Sequence, residues 1–263
     1  MFTKKEIFSL LLTIFILSFA FGFDDKSETF VWGNWLGNFV VVFIMVALAF
    51  LAHQLGHKIA AKMNGFTAEY AYWGIQSLSL KPRQLLGKGK SNPFPRTITV
   101  FGKKILIESF PIGLILCFLV TLLSNGQLFF LAVGQYTLLI KKTSRFGRRF
   151  FEVTNYEEAK IALAGPLANI ILMILAKLVN AYGTFDTFIF INAMLALFHM
   201  IPLSHLAGAK VYFGSRLLWV SSIVFIVALI VLVYTVSIIP LLLLSLLSMF
   251  IAGSLYYYFT YVR

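Results

Sequence analysis

Two of the four histidines in this chain, His53 and His57, lie four residues apart in the segment AHQLGH. Residues at this spacing share one face of a helix, so both imidazoles can reach a single ion. The spacing is that of H-E-x-x-H, in which the histidines bind zinc and the glutamate is the general base. Gln54 replaces that glutamate, and its amide cannot carry a proton at any useful pH. The pattern predicts a zinc site without its base; the alternative is a pair of histidines that hydrogen-bond between helices.

The segment around these histidines belongs to a strongly apolar chain. Of 263 residues, 60% are hydrophobic and 12% are charged, with a mean hydropathy of +0.89. Soluble domains are about 45–50% apolar and about 25% charged, so a soluble globular protein is excluded, and so is a disordered one. The single cysteine, Cys117, excludes a disulfide framework. Ionisable residues inside a membrane span are rare and usually functional, which favours metal binding by the histidine pair.

Long apolar runs predict about six transmembrane helices, because about 20 residues are needed to cross the hydrocarbon core. These runs lie near residues 7–23, 36–61, 158–181, 186–203, 217–235 and 239–259. A shorter pair, 110–124 and 127–140, is separated by Asn125-Gly126 and is predicted to be a re-entrant or short hairpin. Residues 1–23 could alternatively be a secretory signal. The predicted fold class is an all-α polytopic membrane protein with a single membrane domain over 1–263.

The net charge of +12 is concentrated in two links between the predicted spans. The stretches 62–107 and 141–160 are strongly basic, whereas 24–30 is acidic. Because Lys and Arg accumulate on the cytoplasmic side of membrane proteins, both basic stretches and both termini are predicted to be cytoplasmic. Topology and contact with the lipid bilayer account for the basic charge, so no nucleic-acid partner is expected.

The cytoplasmic stretch 62–107 contains two segments, 68–80 and 97–107, that are rich in β-branched and aromatic residues. Their composition and partial alternation predict strands, and the prolines and glycines between them predict a loop. A stretch of this size is barely that of the smallest domains. We therefore expect a small β-sheet lying on the membrane rather than a separate domain.

Three segments resemble the site-2 protease family, the intramembrane zinc metalloproteases. The segment His53-Gln54-Leu55-Gly56-His57 matches the family's H-E-x-G-H with Gln in place of Glu. The segment Ala164-Gly165-Pro166-Leu167-Ala168-Asn169 looks like the A-G-P-x-x-N of the family's central helix. With a third segment, the resemblance covers a core from about 36 to 210, and 211–263 is left as a C-terminal helix pair.

The third segment, HMIPLSHLAG at 199–208, is similar to the family's N-x-x-P-x-x-x-L-D-G. Pro202, Leu206 and Gly208 match in register, whereas His199 replaces the Asn and Ala207 replaces the Asp. The resemblance implies that zinc is held by His53, His57 and position 207, with position 54 as the base. It also implies supporting roles, which fall on Gly165, Pro166, Asn169, His199, Pro202 and Gly208.

The family function would be cleavage of transmembrane protein substrates within or beside the membrane. A helical substrate hides its amides, so it must be unwound, and a strand edge could then hold it by β-addition. The candidates for this contact are Tyr70, Tyr72 and Gly74.

The replacements at positions 54 and 207 remove the base and the third zinc ligand, so we expect weak zinc binding and no proteolysis. Either engineering or a natural pseudoprotease would explain both losses. A replacement ligand could come from His205 or His199, although the latter more simply donates a hydrogen bond. The rival functions are a non-catalytic scaffold that binds membrane helices and a transporter that uses the histidine pair in a proton or metal path.

Overall fold

The computed structural model describes residues 2–24, 29–75, 96–100, 103–107, 109–140, 153–203 and 206–263, and these are mostly helical. The helices are α1 (Lys4–Phe21), α2 (Trp32–Met63), α3 (Ile112–Leu123), α4 (Asn155–Val179), α5 (Asp186–His199), α6 (Ala207–Gly214), α7 (Arg216–Leu232) and α8 (Ile238–Tyr257), with a π-helical turn at Tyr258–Val262. The strands are β1 (Phe66–Tyr72), β2 (Arg96–Val100), β3 (Lys103–Ile107) and β4 (Gly134–Ile140).

Among the described residues, three helical segments are long and apolar enough to cross a membrane: Trp32–Met63, Asn155–Val179 and Ile238–Val262. Three shorter helices, α3, α5 and α7, are also apolar. The chain is therefore a mostly helical protein with helices suited to a membrane. The larger number of about six spans stays a prediction.

Two threonines determine where α1 and α4 begin. The Thr3 and Thr154 side chains each accept a hydrogen bond from the backbone N–H three residues on, at Glu6 and Glu157. Each glutamate accepts a hydrogen bond from its threonine's backbone N–H in return, at 2.7 Å for Thr3 and 3.0 Å for Thr154. These reciprocal capping boxes satisfy N–H groups that a helix end leaves without a partner, so they stabilise the first turns of α1 and α4.

The strand pairing differs from the predicted sheet. Strand β1 pairs antiparallel with β4, opposing Tyr70 to Tyr136, whereas β2 and β3 pair with each other as a hairpin. Segment 97–107 therefore folds back on itself, which closes a much shorter loop than pairing with β1 would. Strand β1 ends at Tyr72, and residues 76–80 of the predicted strand lie outside the described ranges.

The apolar pair around Asn125-Gly126 consists of two different halves. The first is helix α3; the second is irregular up to residue 133 and ends in β4 rather than forming a helix. Asn125 and Gly126 have φ angles of 52° and 76°, the left-handed region that turn residues tolerate. The turn therefore directs residues 127–140 back toward β1.

The histidine pair lies in the buried stripe of α2. The buried residues of this helix recur at intervals of three or four, with two adjacent pairs, at Val42, Val46, Ala49, Phe50, His53, Gln54, His57 and Ala61. This period puts them on one face, which packs chiefly against α4. Gly56 is at the contact, where an added Cβ would be 2.5 Å from the Ala164 carbonyl oxygen. The fold therefore brings the first two resembling segments into direct contact.

The predicted topology can be tested by labelling single cysteines. We expect 62–107 and 141–157 to be cytoplasmic and 24–30 to be external, because of the Lys and Arg asymmetry. Cys117 is fully buried, and its removal gives the background for the experiment. A membrane-impermeant thiol reagent added from outside should label position 27 and leave positions 90 and 145 unlabelled. Labelling of position 90 or 145 from outside intact cells would contradict the arrangement.

Candidate functional site

The two histidines of α2 converge on one point. Their Nε2 atoms are 3.1 Å apart, and both side chains are buried. The Nδ1–H of His57 donates to the Ile161 carbonyl on α4 at 2.8 Å, which leaves its Nε2 with a lone pair. A backbone carbonyl on the second nitrogen is the usual partner of a metal-binding histidine. The helix contact therefore sets the orientation of the ring as well as its position.

A third imidazole, His199 at the end of α5, packs against His53 with ring centroids 4.3 Å apart. Its Nδ1–H donates to the Leu195 carbonyl at 2.9 Å. Next to the pair, the buried His199 Nε2 lacks a hydrogen-bond partner among the described residues, and the buried Asn169 amide lies against His53 without a well-aligned hydrogen bond. Buried polar atoms without partners are rare in proteins. This cluster is therefore suited to a small polar ligand.

Two glycines make room for the site, each at a matched position of the resembling segments. A Cβ on Gly165 would lie 2.7 Å from His53 Nε2 and closer still to His57 Nε2. A Cβ on Gly208 would overlap the backbone of Met200 and Ile201. Pro166 is buried in α4 beside the first glycine, and Pro202 lies in the exposed link from α5 to α6. The supporting roles that the resemblance implies therefore have a steric reason at Gly165 and Gly208, where no side chain would fit.

The buried histidines line a small cavity of about 10 Å³, close to the size of one water molecule. Gln54 and Ala207, both 4% exposed, line the same cavity. The structure therefore brings together all four positions that the resemblance assigns to catalysis and metal binding. His205 lies outside the described residues.

Sequence reasoning missed the residues that cover this cavity. Tyr136 of β4 stacks on His57 with ring centroids 4.5 Å apart. Lys210 Nζ lies 3.8 Å from the centre of the Tyr136 ring, donates to the Tyr136 carbonyl at 2.9 Å and pairs with Glu158 at 3.0 Å. Burial, with a smaller effect of Glu158, raises the pKa of the Tyr136 phenol. Burial lowers the pKa of Lys210, and Glu158 opposes that change.

The sequence alone could have placed only one of these covering residues near the site. Lys210 follows Ala207 by three residues, so the two share a face if that segment is helical. No local pattern connects Tyr136 with His57, because their contact depends on the register of β4 against β1.

The three residues predicted to contact substrate lie on or just after β1, outside the lining of the histidine cavity, and their role stays a prediction. The Tyr70 hydroxyl is hydrogen-bonded to Thr13 Oγ1 at 2.7 Å, and burial raises the Tyr70 pKa. The Tyr72 hydroxyl donates to the Ser109 carbonyl at 3.2 Å. Gly74 also contacts Ser109, whose side chain would overlap an added Cβ.

The outer edge of β1 is already occupied by side chains. The Tyr70 N–H donates to Glu6 Oε1 at 2.9 Å, and Lys58 Nζ donates to the Ala68 carbonyl at 2.8 Å. These are the edge groups that strand addition would use. The predicted β-addition at this edge would therefore need Glu6 and Lys58 to move.

The donor set fits zinc in part. Tetrahedral zinc with bonds of about 2.0–2.1 Å holds two nitrogens roughly 3.3 Å apart, close to the observed 3.1 Å between the His53 and His57 Nε2 atoms. Ala207 offers only a methyl group in the third position. Across the described ranges, no group of three or more His, Cys, Asp or Glu side chains could hold a metal ion. The pair is therefore a two-ligand site.

The fold and the site define a mostly helical protein with a buried H-x-x-x-H pair on a helix that could span a membrane. The chain is 25% identical over 226 residues to the protein of Methanocaldococcus jannaschii (strain ATCC 43067) named "Putative zinc metalloprotease MJ0611". The alignment covers 83% of this chain and 88% of that protein. No family model and no solved structure matches the chain. The similarity therefore spans most of both chains.

Proposed function

We propose that this chain is an intramembrane metalloprotease of the site-2 type, in a form that does not hydrolyse peptide bonds. One observation carries the proposal: two histidine nitrogens converge in a buried cavity, and Gln54 and Ala207 line that same cavity. The similarity to a protein named as a zinc metalloprotease supports the class. The substrate class is a transmembrane protein segment, since the site lies on a helix long and apolar enough to span the bilayer.

His53 and His57 would hold the metal, and His57 is oriented for this by its hydrogen bond to Ile161. Zinc in such a site supplies Lewis acidity, which polarises a carbonyl and lowers the pKa of water. Gln54 can donate and accept hydrogen bonds, but it cannot take up a proton and return it. Ala207 adds neither charge nor a lone pair. The residues present can therefore hold a metal but cannot complete the hydrolysis.

A non-catalytic scaffold that binds membrane helices is the second candidate. It is favoured by the cover over the site, where Tyr136 stacks on His57 and leaves a cavity too small for a peptide. A cleavage assay on the chain with Gln54→Glu and Ala207→Asp separates the two candidates. A protease form regains hydrolysis, whereas a scaffold does not.

We expect the chain to bind zinc weakly and Ala207→Asp to raise its affinity by about 100-fold or more. Changes to groups that only orient a metal ligand already alter affinity by roughly 10–100-fold, and a new carboxylate ligand should do at least as much. Competition with a chromophoric chelator measures the affinity. Ala207→Asn is the matched control, because asparagine is as large as aspartate but neutral. Its zinc affinity should rise much less.

The same titration identifies the ligands. His53→Ala should abolish the remaining zinc binding, because a single imidazole is then left from the pair. Tight stoichiometric zinc that is indifferent to His53→Ala would place the ion elsewhere and remove the support for this site.

A further inference from the structure

A second pocket, of about 390 Å³, lies between the start of α1, the last turns of α2 and strand β1. Its volume is within the range of roughly 300–1,000 Å³ typical of small-molecule sites. It shares no lining residue with the histidine cavity. The pocket is therefore separate from the histidine cavity, although Glu6, Lys58 and Ala68 in its lining also belong to the outer edge of β1 described above.

One side of this pocket is apolar and faces outward from α2. Leu55 and Ile59 line it and are 46% and 59% exposed. Both lie on a helix that is long and apolar enough to cross a membrane. In a bilayer, such exposed side chains contact lipid hydrocarbon. The pocket can therefore be entered by an acyl chain from the side.

The other side of the pocket carries two lysines, Lys58 and Lys62, four residues apart on one face of α2. Lys58 Nζ donates to Glu6 at 2.6 Å and to the Ala68 carbonyl at 2.8 Å. An ammonium has three N–H donors; Lys58 Nζ also lies 4.6 Å from the centre of the Phe2 ring, so its third donor is shared between that ring and any further acceptor. Lys62 is exposed and has no ion-pair partner among the described residues. Two cationic donors are thus available where the apolar wall ends.

Two carboxylates also line the pocket, and they differ in whether a cation compensates their charge. Glu6 is 2% exposed and accepts from Lys58 and from the Tyr70 N–H, so its charge is compensated. Glu69 is half-buried on β1 and, within the described part of the chain, has no cationic partner. The two lysines and two glutamates make the lining electrically neutral overall.

We propose that this pocket binds a phospholipid with a zwitterionic, primary-amine headgroup. The phosphate lies at Lys58 and Lys62, the ammonium reaches Glu69, and an acyl chain follows Leu55 and Ile59. A neutral lining with separated opposite charges complements a neutral headgroup with separated opposite charges. An anionic headgroup would satisfy the lysines but leave Glu69 without a cation.

Retention of added lipid by the purified full chain tests this proposal. Native mass spectrometry from detergent would compare phosphatidylethanolamine with phosphatidylglycerol, and we expect the former to be retained preferentially. Lys62→Gln should lower retention about tenfold, because one charge-assisted contact to phosphate is lost. Glu69→Gln should remove the preference between the two headgroups. Lys177→Gln, in the last turn of α4 and outside the pocket, is the matched control and should change neither.

Three results would overturn the proposal. One is equal retention by Lys62→Gln and Lys177→Gln, and another is a headgroup preference unaffected by Glu69→Gln. The third is displacement of the lipid by inorganic phosphate alone, which would indicate an anion site without a lipid requirement. Lys62 is exposed, so its replacement should not disturb folding. The readout involves neither zinc nor cleavage, so its failure leaves the proposed function standing and separately testable.

Discussion

Gln54→Glu combined with Ala207→Asp should convert the chain into one that cleaves a membrane-embedded substrate, while the chain itself cleaves none. The glutamate restores a group that can accept and return a proton, which is worth roughly 10²–10⁴-fold in rate. The aspartate restores a third metal ligand, and both positions line the cavity that holds the histidine pair. The measurement is cleavage of a transmembrane substrate in reconstituted vesicles, with and without a chelator.

The two single variants act as the controls, and their effects should not add. Ala207→Asp alone should restore zinc but little turnover, because Gln54 still cannot transfer a proton. Gln54→Glu alone should leave the metal weakly bound and the activity low. Groups that act as one catalytic unit are strongly non-additive, so only the double variant should cleave. A double variant that binds zinc yet cuts no substrate would favour the scaffold, and cleavage by the unchanged chain would refute the role given to residue 54.

Gly56→Ala should destabilise the protein and weaken the site at the same time. The new Cβ would lie 2.5 Å from the Ala164 oxygen and 3.0 Å from its carbonyl carbon, and backbone atoms cannot rotate away. Overpacking of this kind costs about 1–3 kcal/mol, or roughly 3–10 °C in Tm for a chain of this size. Because Gly56 precedes His57, separation of α2 from α4 should also lower zinc affinity in the Ala207→Asp background.

Gly37→Ala is the matched control on the same helix, since nothing lies within 4 Å of a Cβ at that position. Alanine is a better helix former than glycine, so the Tm of the Gly37→Ala variant should equal that of the unchanged chain or be slightly higher. Differential scanning fluorimetry in detergent measures both variants. Equal melting temperatures for Gly56→Ala and Gly37→Ala would show that the α2–α4 contact is looser than the structure indicates.

The parts of the site that depend on local spacing could be predicted from the sequence. The four-residue interval between His53 and His57 and the apolar run around them place both histidines on one buried helix face, as observed. Helix ends were less accurate. The run 186–203 predicts a helix that in fact ends at His199, because Pro202 lacks an N–H and restricts the residue before it.

The parts that depend on non-local contact could not be predicted. Residues 134–140 form a strand because β1 offers them an antiparallel partner, and nothing within GQYTLLI itself decides between a strand and a buried helix segment. The short helix α6, which carries Ala207 and Lys210 into the site, was also missed. The stack of Tyr136 on His57 depends on β4, and the ion pair of Lys210 with Glu158 depends on α6.

The stack of Tyr136 on His57 has a kinetic consequence. Because the histidines are buried beneath it, we expect a reagent larger than water to reach them only while β4 has moved away. Modification of His57 by a carbonate ester such as diethyl pyrocarbonate should then follow gated kinetics. Its rate rises with reagent concentration at first and then reaches a plateau equal to the opening rate of β4. That plateau gives the lifetime of the closed state directly, without a substrate.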